Sequence, residues 1–134
     1  MPSFSNLSEQ RLSTCDPRLQ AIFREVIKEY DCSILCGHRG QDEQDEAFST
    51  GRSTKKWPDS KHNSQPSIAV DAAPYFIGIK IDWKDTAAFA RFAGYVERVA
   101  HEQGVKIRWG GDWNQNRRTA DETFIDMPHF ELVL

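Results

Sequence analysis

Apolar residues recur at helical spacing in two long stretches of the chain. The first begins at Asp16-Pro17, a capping acid followed by proline at the first helical position. Its apolar side chains fall at i, i+3, i+4, i+7, i+8 and i+11, namely Leu19, Ile22, Phe23, Val26, Ile27 and Tyr30. The second runs from about Asp85 to Gln103 and stops at Gly104, with an apolar face formed by Phe89, Phe92, Val96, Val99 and Ala100. Each stretch predicts an α-helix with one buried face.

Four shorter segments have the pattern of β-strands. They are Ser33 to Cys36, Ser67 to Ala73, Val105 to Trp109 and His129 to Val133. A further short helix is predicted from Gln41 to Thr50, and residues 52–67 form a polar segment long enough to be a functional loop. Because helices and strands are mixed without regular βαβ alternation, we expect an α+β fold, with a small, largely antiparallel sheet packed against two or three α-helices.

Composition and charge narrow the classes of protein that the chain can represent. With 134 residues, 39% of them hydrophobic, we expect one domain spanning residues 1–134. The formal net charge of −3 gives no global basic field of the kind that binds nucleic acid. No apolar run approaches the roughly 20 residues of a membrane span, and the N-terminus has neither a basic start nor an apolar core. We therefore predict no secretory signal, no stable membrane association and synthesis in the cytoplasm.

Local charges and thiols add little to this picture. Basic side chains cluster at two places, where we expect solvated loop charges rather than a substrate-binding patch: Arg52, Lys55, Lys56 and Lys61, then Arg117 and Arg118. Cys32 and Cys36 lie in one predicted strand, which would separate their Cα atoms by about 13 Å. A disulfide tolerates about 7 Å at most, so we expect free thiols.

Asp71 lies inside an apolar run, Ile68 to Ala73. A charged carboxylate there is costly unless a cation or several hydrogen bonds compensate it, although a half-exposed strand could equally show it to water. His62, in the polar segment, and His129, just after Pro128, could meet Asp71 only through tertiary folding. Two imidazoles and one carboxylate form a plausible ligand set for a catalytic zinc that keeps its fourth position for water. The alternatives are a solvated loop histidine and an ordinary surface edge strand.

Three more residues have chemistry that would serve such a site. Asp126 precedes His129 by three positions, so its carboxylate could flank the same water and handle its protons; a turn-forming aspartate is the alternative. Glu131 shares a predicted strand face with His129 and is a candidate partner for its ring N–H. Arg39 follows a predicted buried strand and could hold a carboxylate or stabilise an oxyanion, the alternative being a surface arginine at a turn.

Several segments between Leu35 and Leu132 together resemble one family of enzymes. The matching segments are Gly37-His38-Arg39 with Gln44, Ser60-Lys61-His62, Ala69-Val70-Asp71-Ala72-Ala73-Pro74-Tyr75, Trp109-Gly110-Gly111-Asp112-Trp113 and Asp126-Met127-Pro128-His129-Phe130-Glu131. They resemble the zinc peptidases of the D-alanyl-D-alanine carboxypeptidase and vancomycin-resistance dipeptidase superfamily. The likeness is greatest to its bacteriophage endolysin branch, the L-alanyl-D-glutamate endopeptidases. Each segment alone is weak evidence, whereas the set is specific.

The resemblance implies a zinc site and a catalytic acid. It implies that His62, Asp71 and His129 bind Zn²⁺, and that Asp126 is the residue that accepts and donates protons. Imidazole and carboxylate are both common ligands of zinc in proteins.

The resemblance also implies two substrate-binding residues. Arg39 matches the family arginine that contacts the substrate and the transition-state oxygen, and Ser60 matches the family serine near the substrate and the metal. One spacing departs from the family pattern, because eight residues, Asn63 to Val70, separate His62 from Asp71. Many superfamily members have a shorter spacing, so this departure resembles a loop insertion that leaves the ligands in place.

The function implied by the resemblance is hydrolysis of the bond between L-alanine and D-glutamate in the stem peptides of bacterial peptidoglycan, which lyses the host at the end of a phage cycle. The enzyme would act as a monomer, made in the host cytoplasm and reaching the wall after a holin-type partner has permeabilised the membrane. Three alternatives stay open. They are a peptidoglycan D,D- or L,D-carboxypeptidase with the same zinc site, a non-catalytic zinc-containing module that binds cell wall, and a two-histidine, one-carboxylate iron oxygenase, whose usual His-x-Asp spacing the chain lacks.

Overall fold

The molecule consists of a four-stranded sheet with helices packed against it. The structure is a computed structural model, and it describes residues 2–134. Within these residues the helices are α1 (Asn6–Leu12), α2 (Pro17–Val26), α3 (Gln41–Ser49) and α4 (Thr86–Glu102). The strands are β1 (Cys32–Cys36), β2 (Ala69–Pro74), β3 (Ile107–Trp109) and β4 (His129–Leu132), and a 3₁₀ turn covers Lys61–Asn63. The predicted α+β fold is confirmed, with one or two more helices than expected.

The order of strands in the sheet is β1-β2-β4-β3, and every neighbouring pair is antiparallel. Strand β2 is therefore central, between the strand that precedes it in the chain and the last strand. In the pairing of β2 with β4, Asp71 lies directly opposite His129. Directly opposed residues in an antiparallel pair have neighbouring side chains on one face of the sheet. The sheet register thus brings together two of the predicted metal ligands that are distant in sequence.

The two long helices cover one face of this sheet. Phe23 from α2 and Phe92 from α4 both meet Phe130 of β4 edge to face, with ring centroids 5.6 Å and 6.0 Å apart. Side chains alternate between the faces of a strand, so Phe130 points into this core while its neighbours His129 and Glu131 point to the other face. The hydrophobic core therefore leaves the opposite face of β2 and β4 for polar chemistry.

The predicted helix starts, and the predicted end of α4, agree with the structure. The carboxylate of Asp16 accepts the backbone N–H of Arg18 at the start of α2, and Asp85 caps α4 in the same way. Gly104 follows α4 with φ +72°, a left-handed conformation that favours glycine over other residues. Helix α2 ends at Val26, earlier than the apolar spacing suggested, and Tyr30 lies beyond it.

Helix α1 was not predicted from the sequence. It has seven residues, of which only Ser8 and Leu12 are buried, so it lacks the apolar face that identifies the longer helices. The Ser8 hydroxyl accepts the backbone N–H of Ile34 at 3.0 Å, which attaches α1 to strand β1. Within the described residues, no helix combines the length and the apolar character needed to cross a membrane.

Candidate metal centre and catalytic cleft

His62, Asp71 and His129 converge on the polar face of the sheet. One potential ligand atom from each lies within 4.8 Å of the others. The Nε2 atom of His62 is 3.2 Å from Oδ1 of Asp71, and Nδ1 of His129 is 3.4 Å from the same oxygen. Strand pairing positions Asp71 and His129, and the 3₁₀ turn brings in His62. The structure thus brings together the three residues singled out as possible ligands.

The far nitrogen of each imidazole is anchored by a hydrogen-bond acceptor. Nδ1 of His62 lies 2.8 Å from the carbonyl oxygen of Gly37, and Nε2 of His129 lies 2.8 Å from Oε1 of Glu131. A carbonyl or carboxylate can only accept, so the far nitrogen carries the proton and the near nitrogen has a lone pair available for a metal. Histidine ligands of metals are normally oriented in this way. The donor set therefore fits a divalent ion such as zinc.

The loop that carries His62 is fixed by local hydrogen bonds. The Ser60 hydroxyl accepts the backbone N–H of His62 at 3.2 Å, and the side-chain oxygen of Asn63 accepts the backbone N–H of Ser60 at 3.1 Å. The carbonyl of His62 accepts the N–H of Arg39 at 2.8 Å. These contacts hold the imidazole near the sheet although eight residues, Asn63 to Val70, separate it from Asp71.

Asp71 is surrounded by positive or potentially positive groups. Its side chain is 16% exposed, so a strand that shows this carboxylate freely to water is the wrong interpretation. The Nη2 atom of Arg39 lies 3.7 Å from Oδ2, and Nη1 of Arg39 donates to Oε1 of Gln44 at 2.9 Å. Burial alone would raise the pKa of Asp71, but His62 and His129 outweigh burial and hold that pKa well below its usual range.

The same carboxylate acts on the two histidines. Burial disfavours a charged imidazole, yet the carboxylate of Asp71 outweighs burial and raises the pKa of His62 to about 10. The pKa of His129 is raised as well, because the hydrogen bonds that it donates to Asp71 and Glu131 outweigh its burial. Without a metal ion, the Asp71 carboxylate therefore favours protonation of the two imidazoles. A divalent cation would supply the positive charge that this site favours and would compete with those protons.

Asp126 lies beside this cluster. Its Oδ2 atom is 4.0 Å from Nδ1 of His129, and its side chain is 29% exposed. Burial raises the pKa of Asp126, and the carboxylate of Asp71 raises it further. A carboxyl group whose pKa is raised toward neutrality is better suited to exchange protons during a reaction. The backbone of Asp126 is held by Gly110, whose carbonyl accepts its N–H at 2.8 Å and where a Cβ atom would collide with the Asp126 carbonyl.

These residues lie in an open cleft of about 1480 Å³. Its lining combines the predicted site residues with aromatic, apolar and basic side chains that include Trp83, Phe124, Arg52, Lys55 and Arg108. Trp113 stacks on Phe124 and approaches the ring of His129, with centroids 5.4 Å apart. Trp109 and Trp113 both line the cleft. The cleft is large enough for an extended peptide or a glycopeptide.

Glu131 connects the metal centre to two cations. Its Oε2 atom lies 2.9 Å from Nζ of Lys61 and 3.0 Å from Nη2 of Arg108, while Oε1 faces His129. Burial would raise the pKa of Glu131, but hydrogen bonds from His129 and Lys61 lower it to about 2. The expectation that Lys61 is merely a solvated loop charge is wrong, because it forms an ion pair with a buried carboxylate. Arg108 was not singled out from the sequence; its pairing opposite Glu131 depends on strand register.

The remaining polar residues are structural. The Gln44 side chain is fully buried and accepts N–H groups from Arg39 and Asn63. It therefore holds Arg39 beside Asp71, a role that sequence reasoning did not assign to it. His38 and His101 belong neither to the possible metal-binding group nor to the lining of the cleft. Across the described part of the chain all three cysteines are free thiols, as predicted, although Cys36 is only half-buried.

A buried set of two imidazoles and a carboxylate, with a further acid at its edge and an open cleft around it, is typical of metal-dependent hydrolases. Comparison with known proteins shows which peptidases the chain resembles. The sequence model of the phage L-alanyl-D-glutamate peptidase family matches residues 2–133, and the chain belongs to this family.

Two individual relatives agree with this assignment. The L-alanyl-D-glutamate peptidase of Escherichia phage T5 is 36% identical over 135 aligned positions, which cover 97% of each chain. The crystal structure of the Serratia marcescens L-Ala D-Glu endopeptidase ChiX superposes with a TM-score of 0.76 at 27% identity, covering 98% of this chain and 91% of that one. The predicted family and fold are thereby confirmed.

Proposed function

We propose that this chain is a zinc endopeptidase that hydrolyses the bond between L-alanine and D-glutamate in peptidoglycan stem peptides. The observation that carries the proposal is the orientation of the two imidazoles. Both turn a free nitrogen toward Asp71, while Asp126 borders the same space in a chain of the phage L-alanyl-D-glutamate peptidase family. This arrangement supports hydrolysis more directly than simple wall binding, which needs no acid beside the metal.

The residues that would hold the metal are His62, Asp71 and His129. Zinc bound by three protein ligands supplies a Lewis acid that polarises a carbonyl and acidifies water at neutral pH. Glu131 and the Gly37 carbonyl keep the two imidazoles in the tautomers that such binding requires.

The other site residues would act on the substrate and its protons. Asp126 takes a proton from the attacking water and returns it to the leaving amine of D-glutamate. Arg39, held by Gln44, offsets negative charge on the scissile carbonyl oxygen as the tetrahedral intermediate forms. Ser60, which borders the cleft beside His62, positions the peptide backbone.

The biological role that follows is lysis of a bacterial host by a phage. The enzyme would act as a monomer on peptidoglycan, after synthesis in the host cytoplasm and after a holin-type partner has permeabilised the membrane. The same site could in principle release terminal D-alanine, so the products of digestion decide between the two reactions.

Mass spectrometry of purified sacculi digested by the protein tests this proposal. We expect new N-terminal D-glutamate on the released peptides, loss of that product with a chelator, and recovery when Zn²⁺ is restored. Release of D-alanine alone would replace the endopeptidase assignment with a carboxypeptidase. Undiminished cleavage after complete removal of metal would contradict the proposed role of zinc.

A further inference from the structure

We infer that Lys61 binds the free α-carboxylate of the D-glutamate residue and so selects for it over its amidated form. This inference rests on the proposed function and assigns one specificity-determining residue within it. Lys61 lines the cleft and precedes the predicted ligand His62 in the chain. It is tied to Glu131, which in turn contacts His129.

The ion pairs around Glu131 leave one positive charge in excess. Arg108 directs both Nε and Nη2 at Oε2 of Glu131, at 3.3 Å and 3.0 Å, and its Nη1 donates to the carbonyl of Trp113 at 3.4 Å. The guanidinium of Arg108 thus neutralises Glu131 and is held at three of its donor atoms. Lys61 adds a second cation to the same carboxylate oxygen, at 2.9 Å. One negative charge cannot neutralise two cations, so the pair favours a further anion from the cleft.

Lys61 also has unused hydrogen-bonding capacity. Its ammonium group has three N–H donors, of which the contact with Glu131 uses one. Its side chain is 38% exposed, compared with 29% for Arg108. A bound carboxylate could therefore reach Lys61 without displacing Glu131, and it would gain a charge-assisted hydrogen bond.

The chemistry of the substrate favours a cation in the cleft close to the scissile bond. In a stem peptide, D-glutamate continues the chain through its γ-carboxyl group, so its α-carboxylate is free and only two bonds from the scissile nitrogen. A group that binds it must lie just outside the metal ligands. Lys61 contacts Glu131, and Glu131 accepts a hydrogen bond from the ring of His129. Arg39 is already paired with Asp71 and Gln44, while Arg52 and Lys55 belong to an exposed loop.

Two matched substrates test this inference. They are muramyl tripeptides with D-glutamate or with D-isoglutamine, which carries a carboxamide in place of the α-carboxylate. We expect the wild-type enzyme to prefer the acid form at least 10-fold in kcat/KM, since hydrogen bonds to charged groups contribute on this scale. In Lys61→Met the preference should fall close to 1, through a higher KM for the acid form, and Lys61→Arg should restore most of it. Lys56→Met, which removes a lysine outside the cleft, should keep the wild-type preference.

Three other results would overturn the inference in distinguishable ways. An equal loss on both substrates in Lys61→Met, with altered metal content, would mean that Lys61 acts only through Glu131 and His129. A preserved preference would place the carboxylate on another cation of the cleft, such as Arg39 or Arg108. If the wild-type enzyme cleaves neither peptide, the proposed function itself fails. Calorimetry can measure the binding of both peptides to the Asp126→Ala variant without turnover. This variant should show the same preference for the acid form, and the double variant with Lys61→Met should not.

Discussion

The two faces of strands β2 and β4 are held together by different forces. On one face, Phe130 packs against Phe23 and Phe92 in a dry core. On the other, Asp71, His129 and neighbouring ions compensate one another's charge. Apolar packing is non-directional and stabilises the fold, whereas the charged face is arranged for a metal and a substrate. Adjacent residues of one strand should therefore differ sharply in what their loss does to the protein.

The largest expected effect is on activity. Asp126→Ala should lower peptidoglycan hydrolysis by about 100-fold to 10,000-fold, because proton transfer by a positioned side chain contributes on that scale. The zinc content and the thermal unfolding midpoint should stay near their wild-type values, since Asp126 is outside the predicted ligand set. Metal analysis, calorimetry and muropeptide release measure the three quantities. A variant that keeps full lytic function would instead favour a non-catalytic wall-binding module.

The next effect compares two neighbours on opposite faces. Phe130→Ala should lower the free energy of unfolding by about 3–5 kcal/mol, because it leaves a cavity among buried rings. His129→Ala should lower it by only about 1–2 kcal/mol in metal-free protein, yet abolish zinc binding and activity. Urea unfolding in excess chelator, with metal titration of each variant, measures both. Equal losses of stability in the two variants would contradict the view that the apolar face is mainly responsible for the stability of the fold.

The most gradual expected effect is the dependence of stability on pH. Glu131 has a folded pKa of about 2, against 4.5 for an unperturbed glutamate. The unfolded chain thus takes up this proton at higher pH than the folded protein, so the stabilisation is complete above about pH 4.5 and is lost as the pH falls toward 2. We expect up to about 3 kcal/mol from this group in metal-free protein. The free energy of unfolding of Glu131→Gln, measured at several pH values, should fall less steeply below pH 4.5 than that of the wild-type protein. An unchanged slope would assign the loss of stability to other carboxylates.

The sequence predicted the long elements and the set of chemically active residues, each for a local reason. Helix α4 has a capping acid, a regular apolar face and a glycine after its end, so its bounds could be predicted closely. Asp71 was identifiable because a carboxylate in an apolar run needs compensation. The local signals did not depend on knowing which strands are neighbours.

What could not be predicted depends on pairing between distant segments. Helix α1 is attached to strand β1 by a serine hydroxyl. Such a contact leaves no periodic pattern of apolar residues from which the helix could be predicted. Lys61 and Arg108 meet on one oxygen of Glu131 because of strand register and the position of the 3₁₀ turn. Their charges, taken alone, look like those of any exposed lysine or arginine.

The anchoring of both imidazoles by groups behind them has a consequence for how the enzyme matures. Because Gly37 and Glu131 already orient the rings, the proposed ligand set is preorganised within the fold, unlike that of small domains that stay unfolded without zinc. An ion bound there would compete with the protons that the Asp71 carboxylate favours on His62 and His129. Acidification should therefore weaken binding of an ion at this site, and neutralisation should restore it.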